Sequence, residues 1–201
     1  MKRLMLVRHG ESEWNAHRRL QGQADIALSD LGRRQAAALR ATVAALAPDV
    51  AVTSDLKRAF ETALILGLDE PRAEPGLREI DVGEWTGQPI ASIEADDPEG
   101  YLGWRAGSYT PPKGEAWADF SVRTNECERL ALGAADRLLV VCHGGVIRAI
   151  LESMIGLAPR QIIPVGPASL TILAERPAGS GRMRLELFNF SPLGPILDAP
   201  D

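Results

Sequence analysis

A chain of 201 residues is long enough to bury one core without disulfides or metal staples, so a single globular domain over 1–201 is the working expectation. With 22 Lys and Arg against 27 Asp and Glu, the formal charge of -5 argues against a general attraction to nucleic acid or an anionic membrane, and any anion site has to be local. Two cysteines, Cys127 and Cys142, fall on an expected helix and an expected buried strand without metal-ligand spacing, which points to a reducing compartment. The apolar run that follows Lys2 and Arg3 stops at Arg8, too short for a signal-peptide core or a membrane span, and the expected location is cytoplasmic.

Residues 3–7 form a short apolar run ending at a polar, glycine-bearing stretch, the pattern of a buried parallel strand that reaches the edge of its sheet. After a polar loop, Ser29 is placed to cap a helix whose apolar positions Leu31, Ala38, Leu39, Thr42 and Leu46 recur at helical spacing before Pro48. A second strand is expected over 50–53. Ser54 or Asp55 then caps a helix with Leu56, Ala59, Phe60 and Ala63 on one face, and Gly67 stops it. Residues 71–112 are rich in Pro, Gly and acids, with helical pieces over 90–95 and 100–105, and the stretch 88–114 reads as a lid or insertion. A longer amphipathic helix over 115–132 leads to an apolar strand over 137–142 and a helix over 146–155 ended by Gly156. Two alternating strands, 170–175 and 183–190, flank the turn-forming run 177–181 and predict a terminal hairpin. The alternation of strands and helices predicts an α/β fold, a three-layer α/β/α sandwich on a mostly parallel central sheet with antiparallel pairing late in the chain.

In open α/β sheets ligands bind beyond the carboxyl ends of the strands. Here those exits read Arg8-His9-Gly10-Glu11, Ser54-Asp55-Leu56-Lys57-Arg58 and His143-Gly144-Gly145. Three exits therefore bring two arginines and two of the three histidines to one edge of an acidic protein, where they repel one another unless an anion compensates. Arg58 and His143 also stand near expected helix N-termini, which favour an anion. The arginines oppose a divalent cation, so no metal and no cofactor is expected. Gly144-Gly145 opens no nucleotide-binding phosphate loop, and Ser12 lies in no hydrolase nucleophile elbow.

The run Leu6-Val7-Arg8-His9-Gly10-Glu11-Ser12-Glu13-Trp14-Asn15, followed by Leu20-Gln21-Gly22 and Leu28-Ser29-Asp30-Leu31-Gly32, resembles the opening of the histidine phosphatases, the phosphoglycerate mutase-like superfamily. The likeness continues at Ser54-Asp55-Leu56-Lys57-Arg58-Ala59, along the Glu79 segment from Leu77 to Gly87, and at Val141-Cys142-His143-Gly144-Gly145, ordered over about 150 residues. The resemblance implies the α/β/α fold and a metal-independent phosphomonoesterase in which His9 carries the phosphoryl group, Arg8, Arg58 and His143 bind it, and Glu79 is the proton donor. Asn15, Gln21 and Gly22 match a phosphate-contacting loop of the family, with a turn-stabilising role equally open. Tyr101, Trp104, Arg105, Tyr109 and Lys113 are candidates for a lid over the leaving group, Trp85 is expected to pack beneath the Glu79 segment, and His17 to be exposed.

Neutral imidazole is a good nucleophile, and the arginines disfavour its protonated form; its second nitrogen needs an acceptor, expected to be a nearby backbone carbonyl. The same arginines would keep Glu79 ionised, so a bound phosphate dianion or burial has to raise its pKa for it to serve as an acid. The Glu79 segment is similar to the broad-specificity phosphatase branch, whose substrates are small sugar phosphates or phosphoglycerate-type esters. A weaker likeness to actinobacterial glucosyl-3-phosphoglycerate phosphatases includes Trp104-Arg105 and Gly114-Glu115, and an α-ribazole phosphatase stays open. A cofactor-dependent phosphoglycerate mutase is disfavoured because the stretch 94–119 holds only Arg105 and Lys113 against six acids. The expected partner is a small-molecule phosphate ester, with a homodimer allowed for and neither nucleic acid nor membrane involved.

Overall fold

Leu138, Leu139, Val140, Val141 and Cys142 are all fully buried, and a strand shielded on both faces has to run through the middle of a sheet. The computed structural model, which describes residues 2–133, 135–195, 197 and 199 of the expected 1–201 domain, places it there. The strands are β1 (Arg3–Arg8), β2 (Val50–Thr53), β3 (Arg72–Ala73), β4 (Arg137–Cys142), β5 (Leu170–Glu175) and β6 (Met183–Phe190), in the spatial order β3-β2-β4-β1-β5-β6. β4 pairs in parallel with both β1 and β2, β2 in parallel with β3, and the late strands β5 and β6 pair antiparallel. The mostly parallel sheet and the terminal hairpin are as the sequence pattern requires.

Period-2 alternation sorts the strand residues into two cores. Leu4, Leu6, Leu138, Val140 and Cys142 face one side. There they pack with Phe120 of α6 (Trp117–Gly133) and with Val146, Ile147 and Ile150 of α7 (Gly144–Ile155). Met5, Val7, Leu139 and Val141 face the other, against Leu39 and Val43 of α2 (Asp30–Leu46) and Ala63 of α3 (Lys57–Ile65). This is the three-layer arrangement, and truncating a fully buried leucine such as Leu139 to alanine costs about 2–5 kcal/mol. A four-residue helix α1 (Glu13–Ala16) precedes α2, and α4 (Ile90–Asp96) and α5 (Pro98–Ala106) occupy the middle of the chain. Ile90, Ile93, Tyr101 and Trp104 from the last two join the first core, so the 88–114 stretch is packed against the same cluster as the sheet.

Two expectations are corrected. The buried stripe of α2 is Gly32, Ala36, Leu39 and Val43, while Leu31 stays 41% exposed. The helix is rotated because the Gly10-Glu11 backbone lies against Gly32, where a Cβ would meet Glu11 O at 2.0 Å. Neither Ser54 nor Asp55 caps α3: Leu56 holds the cap position without a side-chain hydrogen bond, and the two polar side chains are engaged with His143 and Arg78.

Candidate active site

Because β1, β2 and β4 are parallel, their carboxyl ends coincide, and hydrogen bonds tie the exits together. His9 N–H donates to Cys142 O at 2.9 Å and Ser54 N–H to Val141 O at 3.0 Å. His9 and His143 consequently meet edge to face with ring centroids 5.1 Å apart. The Nδ1 of His9 lies 2.6 Å from Gly10 O. A carbonyl only accepts, so in the neutral ring Nδ1 carries the proton and Nε2 keeps its lone pair. Burial, then the charges of Arg58 and Arg8, hold His9 well below its usual 6.5, opposed by the Gly10 hydrogen bond. His143 is fully buried and lowered in the same way, by burial and then by Arg58, His9, Arg8 and Arg123. Its Nε2 is 2.9 Å from Ser54 Oγ, and its Nδ1 is buried without a hydrogen-bond partner among the described residues.

Two buried guanidinium groups flank His9. Arg8 Nη1 donates to Val165 O at 2.5 Å. Arg58, in the first turn of α3, donates from Nη2 to Gly22 O at 2.8 Å and from Nη1 to Ala24 O at 2.7 Å. Burial, opposed by Glu79 and aided by Arg8, brings Arg58 down to about 10, so it remains charged near neutral pH. Gly22 has φ +49, and a Cβ there would crowd Val82 at 2.9 Å, which is why this turn takes glycine. Ser12 and Asn15 form a capping box at the start of α1, and Ser12 Oγ lies 2.7 Å from Gln21 Oε1.

Glu79 approaches from a stretch without regular structure. Its Oε1 accepts from Ile80 N–H at 2.9 Å and its Oε2 from Gly145 N–H at 3.0 Å. A Cβ on Gly145 would sit 2.2 Å from Glu79 Oε1, so the second glycine after His143 makes room for the carboxylate.

Arg8, His9, Gln21, Gly22, Arg58, Glu79, Gly144 and Gly145 line one cavity. His143 and Asn15 are not in its wall; the one stands edge-on to His9 and the other closes the capping box. Of the residues proposed for a lid, Trp104 lines this cavity. Tyr101 and Arg105 line a neighbouring hollow that also takes in His17, Tyr109 stacks on Trp85 at 5.7 Å, and exposed Lys113 pairs with Glu84 at 2.8 Å. Leu20, Ile80 and Val82 also line the cavity without having been assigned a role, and three wall residues lie outside the matched motifs altogether: Trp117, Pro164 and Arg148, the last with its guanidinium 5.5 Å from the Trp117 ring and donating to Arg105 O. The available signal was an arginine inside the apolar run of α7, since such a residue is buried only for a purpose. Among the described residues no group of three or more His, Cys, Asp or Glu is placed to hold a metal ion, and no helix is long and apolar enough to cross a membrane.

Residues 4–189 match the model of the histidine phosphatase superfamily (branch 1). The chain belongs to that superfamily. This histidine phosphatase is 35% identical to a glucosyl-3-phosphoglycerate phosphatase of Mycolicibacterium vanbaalenii, over 95% of this chain and 96% of the relative. It is 33% identical to a probable phosphoglycerate mutase GpmB of Yersinia enterocolitica over 79% and 77% of the two chains. Among solved structures, the mycobacterial glucosyl-3-phosphoglycerate phosphatase complexed with VO3 superposes with a TM-score of 0.83 at 34% identity, covering 94% of this chain and 99% of that one. As a member of this superfamily with such relatives, the histidine phosphatase is a phosphoric monoester hydrolase acting on a small phosphate ester.

Proposed function

We propose that the enzyme works by double displacement through phospho-His9. His9 Nε2 attacks phosphorus in line with the ester oxygen, the P–O bond breaks, and the departing oxygen takes a proton from Glu79. Water, giving its proton back to Glu79, then attacks phosphorus and breaks the P–N bond, releasing inorganic phosphate and neutral His9. The observation that carries this reading is the 2.6 Å contact between His9 Nδ1 and Gly10 O, which commits one nitrogen and leaves the other as the nucleophile of a cavity-lining residue. Arg8 and Arg58 are the electrostatic clamp on the equatorial oxygens. We assign His143, edge-on to His9, as the third donor: in the tautomer whose Nε2 accepts from Ser54 Oγ at 2.9 Å, the buried Nδ1 carries the proton. Gln21 and Gly22 border the same phosphoryl position, and Asn15 supports it through Ser12. No metal enters this scheme, and the two free cysteines support a reducing, cytoplasmic setting.

Beyond the phosphoryl position the wall is Leu20, Ile80, Val82, Trp104 and Trp117 with the single cation Arg148. An apolar, aromatic wall with one arginine suits a leaving group that offers an apolar face and a carboxylate. A phosphoglycerate-type ester fits that description, and the names of the full-length relatives make glucosyl-3-phosphoglycerate the first to assay. Release of phosphate from a panel of esters tests the reading, with 3-phosphoglycerate included with and without 2,3-bisphosphoglycerate. Phosphate release fastest from the glucosylated ester is expected; rapid bisphosphoglycerate-dependent formation of 2-phosphoglycerate, with little phosphate from any ester, would establish a mutase instead.

A further inference from the structure

The residues 78–82 that carry Glu79 belong to neither a strand nor a helix, so their carbonyls need partners from elsewhere. One side chain supplies those of Arg78 and Glu79. Arg123, on α6, donates from Nη1 to Gly76 O at 3.0 Å and Arg78 O at 2.9 Å, and from Nη2 to Glu79 O at 3.0 Å. Its remaining two N–H groups reach Glu115, Nε to Oε1 at 2.6 Å and Nη2 to Oε2 at 2.7 Å. All five donors of the guanidinium fork are therefore used, a geometry a three-donor lysine cannot reproduce. Glu115 closes the loop from the far end: its N–H donates to Asp81 O at 2.8 Å, and its Oε2 accepts from Asp81 N–H at 3.2 Å. The fork is itself seated 4.9 Å from the ring of Phe120, a fully buried core residue. Arg123 is absent from the cavity wall, and its hydrogen bonds reach the site through the backbone that carries Glu79.

We propose that Arg123 and Glu115 are positioning residues that hold the Glu79 carboxyl at the leaving-group oxygen, locking its backbone to α6 on one side while Gly145 N–H fixes the carboxylate on the other. The inference rests on the proton-donor reading of Glu79. A misplaced acid matters when the leaving group needs a proton and little when it does not, which separates positioning from a general structural role. The test compares Arg123→Lys and Glu115→Gln on glycerol 3-phosphate, an alkyl ester, and on p-nitrophenyl phosphate, whose leaving group is stable as an anion. Each variant is expected to lose about ten- to a hundredfold in kcat/KM on the alkyl ester, and distinctly less on the aryl ester, because kcat/KM reports transfer to His9 and not the hydrolysis step common to both. In a Glu79→Gln background neither change should cost anything further on the alkyl ester. Equal losses on both esters, or an additional loss in that background, overturn the inference. If Glu79→Gln alone affects both esters equally, the proton-donor reading falls and the inference with it, a result distinct from equal losses confined to the Arg123 and Glu115 variants.

Discussion

The two halves of the site are held in different ways. His9 and His143 each follow directly on the last residue of a strand buried in all but its first position, and Arg58 lies in the first turn of the helix that follows β2, so the proposed phosphoryl side is fixed by the ladder of the sheet. Glu79 lies in an irregular stretch between two 3-10 turns, Pro75–Leu77 and Gly83–Trp85, and is held by long-range bonds from Arg123 and Gly145 and, through Asp81, from Glu115. The phosphoryl group is common to every substrate, whereas the leaving group is not. A rigid cradle facing a wall fastened by side chains lets substitutions change the ester accepted without disturbing the group transferred.

The comparison breaks most sharply at the cradle. His9→Ala removes the acceptor of the phosphoryl group and should lower turnover on every ester by on the order of 10⁴-fold or more, measured as steady-state phosphate release. On the other side, Glu79→Gln should cost about 10²–10⁴-fold in kcat/KM on alkyl esters and much less on p-nitrophenyl phosphate, which kcat/KM measured on the two substrates decides. Gly145→Ala sharpens the same contrast: its Cβ would need the space 2.2 Å from Glu79 Oε1, and a carboxylate displaced by about 1 Å should lose roughly a hundredfold on alkyl esters while phosphate inhibition is kept.

The smallest expected effect is on stability. His9 and His143 are held neutral, so each titrates lower in the folded chain than its usual 6.5 in the unfolded one. Between those two values the unfolded chain binds the proton and the folded chain does not. Stability therefore falls as pH drops below about 6.5 and is indifferent to these groups above it, by up to about 1.4 kcal/mol per pH unit for each histidine. Denaturant titrations between pH 7.5 and 5.5 should show this slope, and His9→Ala should flatten it by one proton.

The convergence of Arg8, His9, Arg58 and His143 was legible in the sequence because they follow the ends of apolar strand runs, and β4, β5 and β6 carry the expected bounds for the same reason. The fastening of Glu79 was not, since Arg123 reaches it from 44 residues along the chain and Glu115 reaches Asp81 from 34, and nothing local marks a side chain that serves distant backbone groups. β3 escaped notice because it has two residues, both exposed. The cap of α3 was misread because the Ser54 and Asp55 side chains are taken by His143 and Arg78 from other segments. Arg148 lay hidden in an apolar helix whose pattern spoke only of packing.

The central claim is that phosphorus bonds to His9 during turnover. Rapid quenching of the enzyme with radiolabelled phosphate ester, followed by peptide mapping, tests it directly. Acid-labile, base-stable label on the peptide containing His9, absent from His9→Ala, is the predicted result. Label mapped to another residue, or full turnover with no protein-bound phosphate at any time point, would contradict it.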